Sequence, residues 1–225
     1  MSNYLKHIFP INIYHGSVQD NNKIKELIIP LIEEHRKGNK HTAPKGWLTD
    51  KLITSFSDDD FNDSLKDDST PIGKELSKQY NPIFADFFDR SFSIQITDMW
   101  YNFYDNGEYQ EAHCHFGNWK TQNHFACIHF LNYDHNKHSP LKLLDPTRHI
   151  RISSWEFFDK RNYTDQISLN VKEGDFIMIP AYLEHEVSPG IPTPDYPRIT
   201  ISFNISVIDI DEDNGDEDTV DDTNE

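Results

Sequence analysis

Around residue 92 the hydrophobic pattern of this chain changes period. Upstream, apolar residues recur at helical spacing. Downstream they fall into short runs of β-branched and aromatic residues: SFSIQITDMWYNFYD, HFACIHFLNYD, SPLKLLD, DQISLNVKEGDFIMIP and PRITISFNISVI. Gly, Pro, Asn and Asp separate these runs, the pattern of strands closed by turns. Several such strands at modest spacing predict an antiparallel sandwich or barrel. A chain of 225 residues suits one domain, here a helical first third joined to a β core. Its expected bounds are residues 1–208, with helices to about residue 91 and the β core over about 92–208.

Within the first third, HIFPINIY reads as a short strand interrupted by Pro10. NNKIKELIIPLIEEHRKG predicts a helix with Asn22 as N-cap and Gly38 as stop signal. Pro30 should kink or divide it, because proline removes a backbone donor and clashes with the preceding turn. Residues 39–69 predict an exposed loop with a short helix. PIGKELSKQYNPIFADFFDR predicts a second helix that buries Leu76, Tyr80, Ile83, Phe84 and Phe87 and bends at Pro82.

The formal charge of −17 is concentrated at one end. Residues 209–225, DIDEDNGDEDTVDDTNE, hold ten acidic side chains and no basic one, which leaves −7 for the rest. So charged and apolar-poor a segment cannot repay its ordering entropy and predicts a disordered, solubilising tail. The balance argues against a binder of long nucleic acid, which needs clustered Lys and Arg. Two cysteines, Cys114 and Cys127, cannot build a disulfide framework and point to a reducing, cytoplasmic location. No apolar run reaches the roughly 20 residues that span a bilayer. The start, MSNYLKHIFPINIY, lacks the apolar stretch of a signal peptide. A soluble protein is expected, and a homodimer is compatible with these features.

Chemistry enters at Tyr109-Gln110-Glu111-Ala112-His113-Cys114-His115. Alternate residues of a strand share a face, so His113 and His115 would project together, with Glu111 beside them if the strand runs that far. Two imidazoles at this spacing can grip one divalent metal; ordinary polar residues at a strand end would look the same. Seventy residues on, Gly174-Asp175 predicts a turn, Phe176 to Ile179 a buried strand and Pro180 its end, which places His185 at the mouth of a barrel. A satisfied surface histidine is the alternative. Arg198 opens the strand RITISFNI and shares a face with Thr200. A buried arginine needs an anion: a dicarboxylate ligand, with the threonine hydroxyl adding a hydrogen bond, or a protein carboxylate.

The order HxH, then a distal His, then Arg-x-Thr resembles the iron(II)- and 2-oxoglutarate-dependent oxygenases. It is most similar to a group of 2OG-Fe(II) oxygenases common in bacteria and phages. The resemblance is carried by Trp100-Tyr101-Asn102, His113-Cys114-His115, Ile128-His129-Phe130-Leu131, Leu141 to Pro146, Gly174 to Pro180 with His185, and Arg198 to Asn204. Ile8-Phe9-Pro10 also resembles the family's start. The fold implied is mainly β (α+β): a double-stranded β-helix, or jelly roll, with N-terminal helices bracing one sheet.

One departure is visible. Most of the superfamily uses HxD or HxE with a distal histidine, whereas His115 fills the carboxylate position here. The resemblance implies His113, His115 and His185 as catalytic metal ligands, with Glu111 as the alternative carboxylate and His115 then outside the ligand set. It implies iron(II) as cofactor and 2-oxoglutarate as co-substrate, bound by Arg198 and Thr200 with Asn102 lining the pocket. The reaction implied is hydroxylation of a protein side chain, nucleotide or small metabolite, in the host cytoplasm where a member is virus-encoded. Trp100 and Tyr104, on the face of Asn102, read as core aromatics. His124, His129, His135 and His138 are too irregularly spaced for a second metal site. A cupin-like metalloprotein without 2-oxoglutarate, or a non-catalytic jelly-roll binding or virion-associated module, are the rival readings. Arg198 with Thr200 argues against the first, and the full set of ligand positions together with Arg198 argues against the second.

Overall fold

A computed structural model describes residues 10–38, 43–44, 47–49, 51–89, 91–117, 122–148 and 164–209. The acidic segment beyond Asp209, and Ile8 and Phe9 of the opening motif, lie outside the described residues. The chain runs β1 (Tyr14–Ser17), α1 (Asn21–Lys37), β2 (Ile53–Thr54), α2 (Asp59–Lys66), α3 (Pro71–Phe87), β3 (Phe92–Tyr104), β4 (Gln110–His113), β5 (Phe125–Asn132), β6 (Leu141–Leu144), β7 (Gln166–Ser168), β8 (Asp175–Pro180), β9 (His185–Val187) and β10 (Arg198–Asp209). The strands form a six-stranded sheet, β1-β8-β5-β10-β3-β2, and a four-stranded sheet, β4-β9-β6-β7. Every pairing between these strands is antiparallel.

Strand alternation gives the larger sheet two different faces. One face, with Met99, Tyr101 and Phe103 of β3, Cys127 and Leu131 of β5, Phe176 and Met178 of β8, and Ile199 to Ile205 in alternation on β10, packs on the helices. These supply Ile24, Ile28 and Ile32 from α1 and Leu76, Tyr80 and Phe84 from α3, each set at helical spacing. The other face contributes Ala126, Ile128 and Phe130 of β5 and Ile177 and Ile179 of β8 to a second cluster, with Leu141, Leu143 and Val187 of the smaller sheet. On β10 that face is polar throughout: Arg198, Thr200, Ser202 and Asn204 are all buried. A polar stripe at this depth is the feature of the fold that calls for a function.

Several local expectations shift. The first strand begins at Tyr14, after Pro10, and joins the sheet edge against β8. Asp20 caps α1, its carboxylate accepting from the Lys23 amide, while Asn21 turns its amide to the Leu131 carbonyl. The cap is therefore two residues before Asn22. Pro30 lies inside one continuous helix and does not divide it. Phe87 is 40% exposed and belongs to a partly open aromatic cluster with Tyr14, Phe88 and Phe125. DQISLNVKEGDFIMIP holds two strands, β7 and β8, joined by a turn at Gly174, whose φ of 83° suits glycine. No helix among the described residues is long and apolar enough to cross a membrane.

Candidate active site

The smaller sheet brings the first two histidines of the site together. His113 closes β4 and His185 opens β9, and the two are directly opposite in register. His115 lies just past the end of β4, where its amide donates to the Ala181 carbonyl at 2.8 Å. The expectation that one strand would present both His113 and His115 is therefore half met: the chain leaves the ladder, and the contact to Ala181 holds the second imidazole. His185 is 4% exposed and sits inside the site, deeper than a residue at a mouth.

The three imidazoles share one arrangement. His113 Nδ1 donates to the Glu111 carbonyl (2.7 Å), His185 Nδ1 to the Leu183 carbonyl (3.0 Å) and His115 Nδ1 to Asn204 Oδ1 (2.7 Å). These partners are acceptors, so each Nδ1 carries its proton and each Nε2 presents a lone pair. The three rings offer ligand atoms that all lie within 4.8 Å of one another. His115 Nε2 and His185 Nε2 are 3.2 Å apart. Two lone pairs facing each other at that distance repel, unless a cation lies between them.

Burial lowers the basicity of all three. It depresses His115 to about 4, with further help from His113. It holds His185 well below the ordinary range, reinforced by His113 and His115. It lowers His113 as well, against the opposing hydrogen bond to the Glu111 carbonyl. Near neutral pH the cluster therefore holds three neutral imidazoles, the form that ligates metal. Glu111 turns away: its Oε1 accepts from the Leu48 amide at 2.9 Å, and it stands outside the histidine cluster.

Arg198 lies in the same cavity, whose wall also includes Trp100, Asn102, Tyr104, Gln110, Thr200 and Ser202. Arg198 is 3% exposed, and its Nε and Nη1 have no hydrogen-bond partner. Its guanidinium carbon faces the rings of Tyr104, Phe130 and Tyr133 at 4.6, 5.5 and 5.9 Å. Asn102 donates to Ser202 Oγ at 3.2 Å and leaves its Oδ1 unpartnered. Thr200 lies directly opposite Asn102 in the β10–β3 register. Unpaired buried polar atoms are costly, and here they gather in one cavity.

Trp100 and Tyr104 are wall residues of the site as well as buried aromatics. Trp100 stacks on His115 at 5.8 Å and 12°. Gln110 was not singled out from the sequence, yet its Nε2 lies 3.4 Å from His113 Nε2 and its Oε1 accepts from the Tyr104 hydroxyl. Among the described residues, the other histidines form no metal-holding group. His129 bonds to the Tyr80 hydroxyl, and His138 bonds to the Tyr196 carbonyl and the Asp134 amide. Cys114 and Cys127 are free thiols.

Residues 98–204 match the model of a family described as 2OG-Fe(II) oxygenase. The match spans the whole constellation, from β3 through the histidines to the polar stripe of β10. That stretch places the core of the chain among the 2OG-Fe(II) oxygenases. It is an oxygenase whose cofactor is iron(II) and whose co-substrate is 2-oxoglutarate. No curated protein sequence matches it. Solved structures share its fold at low identity. A prolyl hydroxylase from Trichoplax adhaerens, solved with a hypoxia inducible factor peptide fragment, is 11% identical at a TM-score of 0.57, covering 89% of this chain and 84% of that one. HygX from Streptomyces hygroscopicus, solved with nickel and 2-oxoglutarate, is 8% identical at a TM-score of 0.55, covering 87% and 83%. The viral collagen prolyl hydroxylase of Paramecium bursaria Chlorella virus-1 is 10% identical at a TM-score of 0.51, covering 86% and 94%.

The residues present fit both groups. Three neutral Nε2 donors suit a divalent first-row metal. The unpartnered guanidinium nitrogens of Arg198 suit a carboxylate, for which a planar fork gives bidentate geometry.

Proposed function

We propose that this oxygenase is a dioxygenase that hydroxylates a prime substrate, with His113, His115 and His185 holding iron(II) and Arg198, Thr200 and Asn102 lining the 2-oxoglutarate subsite. The proposed frame is the double-stranded β-helix, with the two sheets as its faces, α1 and α3 bracing the larger, and residues 1–208 as the catalytic domain. When bound, the metal and co-substrate supply oxidative decarboxylation: one atom of O₂ enters succinate as CO₂ leaves, and the other enters a C–H bond of the substrate.

The chain's own residues prepare for that chemistry. Each Nδ1 is tied to an acceptor, so the rings cannot turn their Nε2 atoms away from the common point. Arg198 is buried against three aromatic rings, so a carboxylate would meet it at low dielectric, where the pairing is strong. The Thr200 hydroxyl lies on the same face of β10, two residues on, and would give a further hydrogen bond. Asn102 offers Oδ1 as an acceptor in the same wall. Trp100, Ile128, Leu141 and Val187 exclude water from the remaining cavity surface.

The observation that carries this reading is the pair of unpartnered Arg198 nitrogens, Nε and Nη1, in the cavity onto which the three histidines open. A cupin-like metalloprotein or a structural jelly-roll module would have no use for that buried charge. Anaerobic titration with iron(II) and then 2-oxoglutarate is the test. A visible metal-to-ligand charge-transfer band that needs both is expected, and its absence in iron-loaded protein would sink the proposal. The prime substrate is proposed to be a protein side chain, a nucleotide or a small metabolite, and succinate release in the presence of each class would sort them.

A further inference from the structure

Resting on that reading of the three histidines, we infer that Asn204, anchored by Asp98, is a positioning residue that fixes the metal-facing tautomer of His115 and raises its donor strength. His115 occupies the place where most of the superfamily carries a charged ligand, so what stands behind it matters.

The register places the parts. Asn204 ends the polar stripe of β10 and pairs with Asp98 of β3, where the two strands shift register between Asn204 and Ile205. The shift inserts Thr97 as an extra residue on β3, an irregularity of the kind that re-aims side chains beside active sites. Asn204 Oδ1 accepts from His115 Nδ1 at 2.7 Å, and its Nδ2 donates to Asp98 Oδ2 at 3.3 Å. The bonds close into a ring. Thr97 Oγ1 lies 3.3 Å from Asp98 Oδ2 and 2.9 Å from Asn123 Oδ1, and Asn123 Nδ2 donates to the His115 carbonyl at 3.1 Å. Both the ring and the backbone of His115 are thus tied to one network.

An asparagine amide has an acceptor end and a donor end, and its neighbours decide which faces where. With Asp98 accepting from Nδ2, Oδ1 must face His115. The imidazole then carries its proton on Nδ1 and keeps the Nε2 lone pair. A reversed amide would favour the opposite tautomer, whose Nε2–H cannot ligate. The carboxylate also polarises the amide, which strengthens Oδ1 as an acceptor and makes the imidazole a better donor. Asp98 so returns, at one remove, part of the negative charge that a ligating carboxylate would supply.

The test is calorimetric titration of Mn(II) into metal-free full-length protein, beside ¹⁵N NMR of the His115 ring and a melting curve. Asn204→Leu should bind Mn(II) 10- to 100-fold more weakly and show a mixed tautomer at His115. Asp98→Ala, at an exposed site, should fall severalfold with the same spectroscopic change. Asn204→Asp, an acceptor with a full charge, should match or exceed the parent. Should Asn204→Leu not fold, Asp98→Ala and Asn204→Asp carry the test. A structural role would lower only the melting temperature. Folded variants with the parent's affinity and tautomer would overturn the inference alone. A parent that takes up no Mn(II) would overturn the metal reading, and the inference with it.

Discussion

The guanidinium carbon of Arg198 lies 4.6 Å from the centre of the Tyr104 ring, and the ring takes the place a counter-ion would occupy. Contacts of this kind give about 2 kcal/mol when desolvated, whereas removing an ion from water costs several. In the metal-free, ligand-free protein Arg198 is therefore a net cost, held in place by the strands on either side of β10.

That balance has a sign that can be measured. Arg198→Met keeps a long side chain and removes the buried charge, so the melting temperature of the apo protein should rise or hold. Affinity of the metal-loaded protein for 2-oxoglutarate should fall by about 2–5 kcal/mol, the usual cost of breaking a desolvated charge pair. Arg198→Lys should be intermediate, since lysine keeps the charge and loses the fork. Calorimetry beside a melting curve reads both effects. Equal co-substrate affinity in parent and Arg198→Met would remove Arg198 from the site.

His185→Ala should abolish stoichiometric iron binding while the protein stays folded. The side chain is buried, so truncation leaves a gap and costs packing. It also removes an Nε2 lone pair set 3.2 Å from that of His115, which offsets part of the loss. Iron content of the purified variant decides the matter. One equivalent of bound iron would exclude His185 from the ligand set.

Much of the site was legible because strand alternation is a rigid rule. Placing Trp100, Asn102 and Tyr104 on one face of β3, and Arg198 with Thr200 on one face of β10, required only a period of two, and those faces meet in the cavity. Continuing the same count would have reached Ser202 and Asn204. Gln110 was hidden for a different reason. Its role depends on the short β4–β9 ladder and on the Tyr104 hydroxyl, contacts between segments that no local pattern links. His115 reaches the cluster by a route that strand alternation does not describe, since the chain leaves β4 before it and a long-range bond to Ala181 fixes its place. Pro30 marks the limit of local rules. It predicts a kink or a division, yet the helix is not divided: Ile24, Ile28 and Ile32 bury one continuous stripe against the sheet and hold the helix through it.

The same helix gives a stability prediction. Pro30 is exposed, so its ring contributes little packing, while its missing amide proton removes one helical hydrogen bond. Pro30→Ala should stabilise the protein by about 1–3 kcal/mol, the usual range for relieving proline within a helix. Urea denaturation of parent and variant measures this directly. A destabilised variant would mean that the proline ring itself helps to seat Ile28 and Ile32.

His129 should impose an acid limit on stability that is independent of the metal site. It lies in β5 with no exposed surface, bonded to the Tyr80 hydroxyl, and its Nε2 has no partner. Burial depresses it from 6.5 to about 3. The unfolded chain therefore takes up this proton near pH 6.5, while the folded chain resists it until about pH 3. Between those values the unfolded state binds more protons, so stability falls as pH falls, with a limiting slope of about 1.4 kcal/mol per pH unit for one group. Above pH 6.5 the contribution is complete, and below about 3 the loss levels off. Denaturant unfolding of the apo protein between pH 7 and pH 4, for parent and His129→Gln, isolates this proton from those taken up by the site histidines. The variant should be less stable at pH 7, through the disturbed contact with Tyr80, yet lose stability less steeply on acidification. Parallel curves for the two proteins would show that His129 does not carry the acid sensitivity.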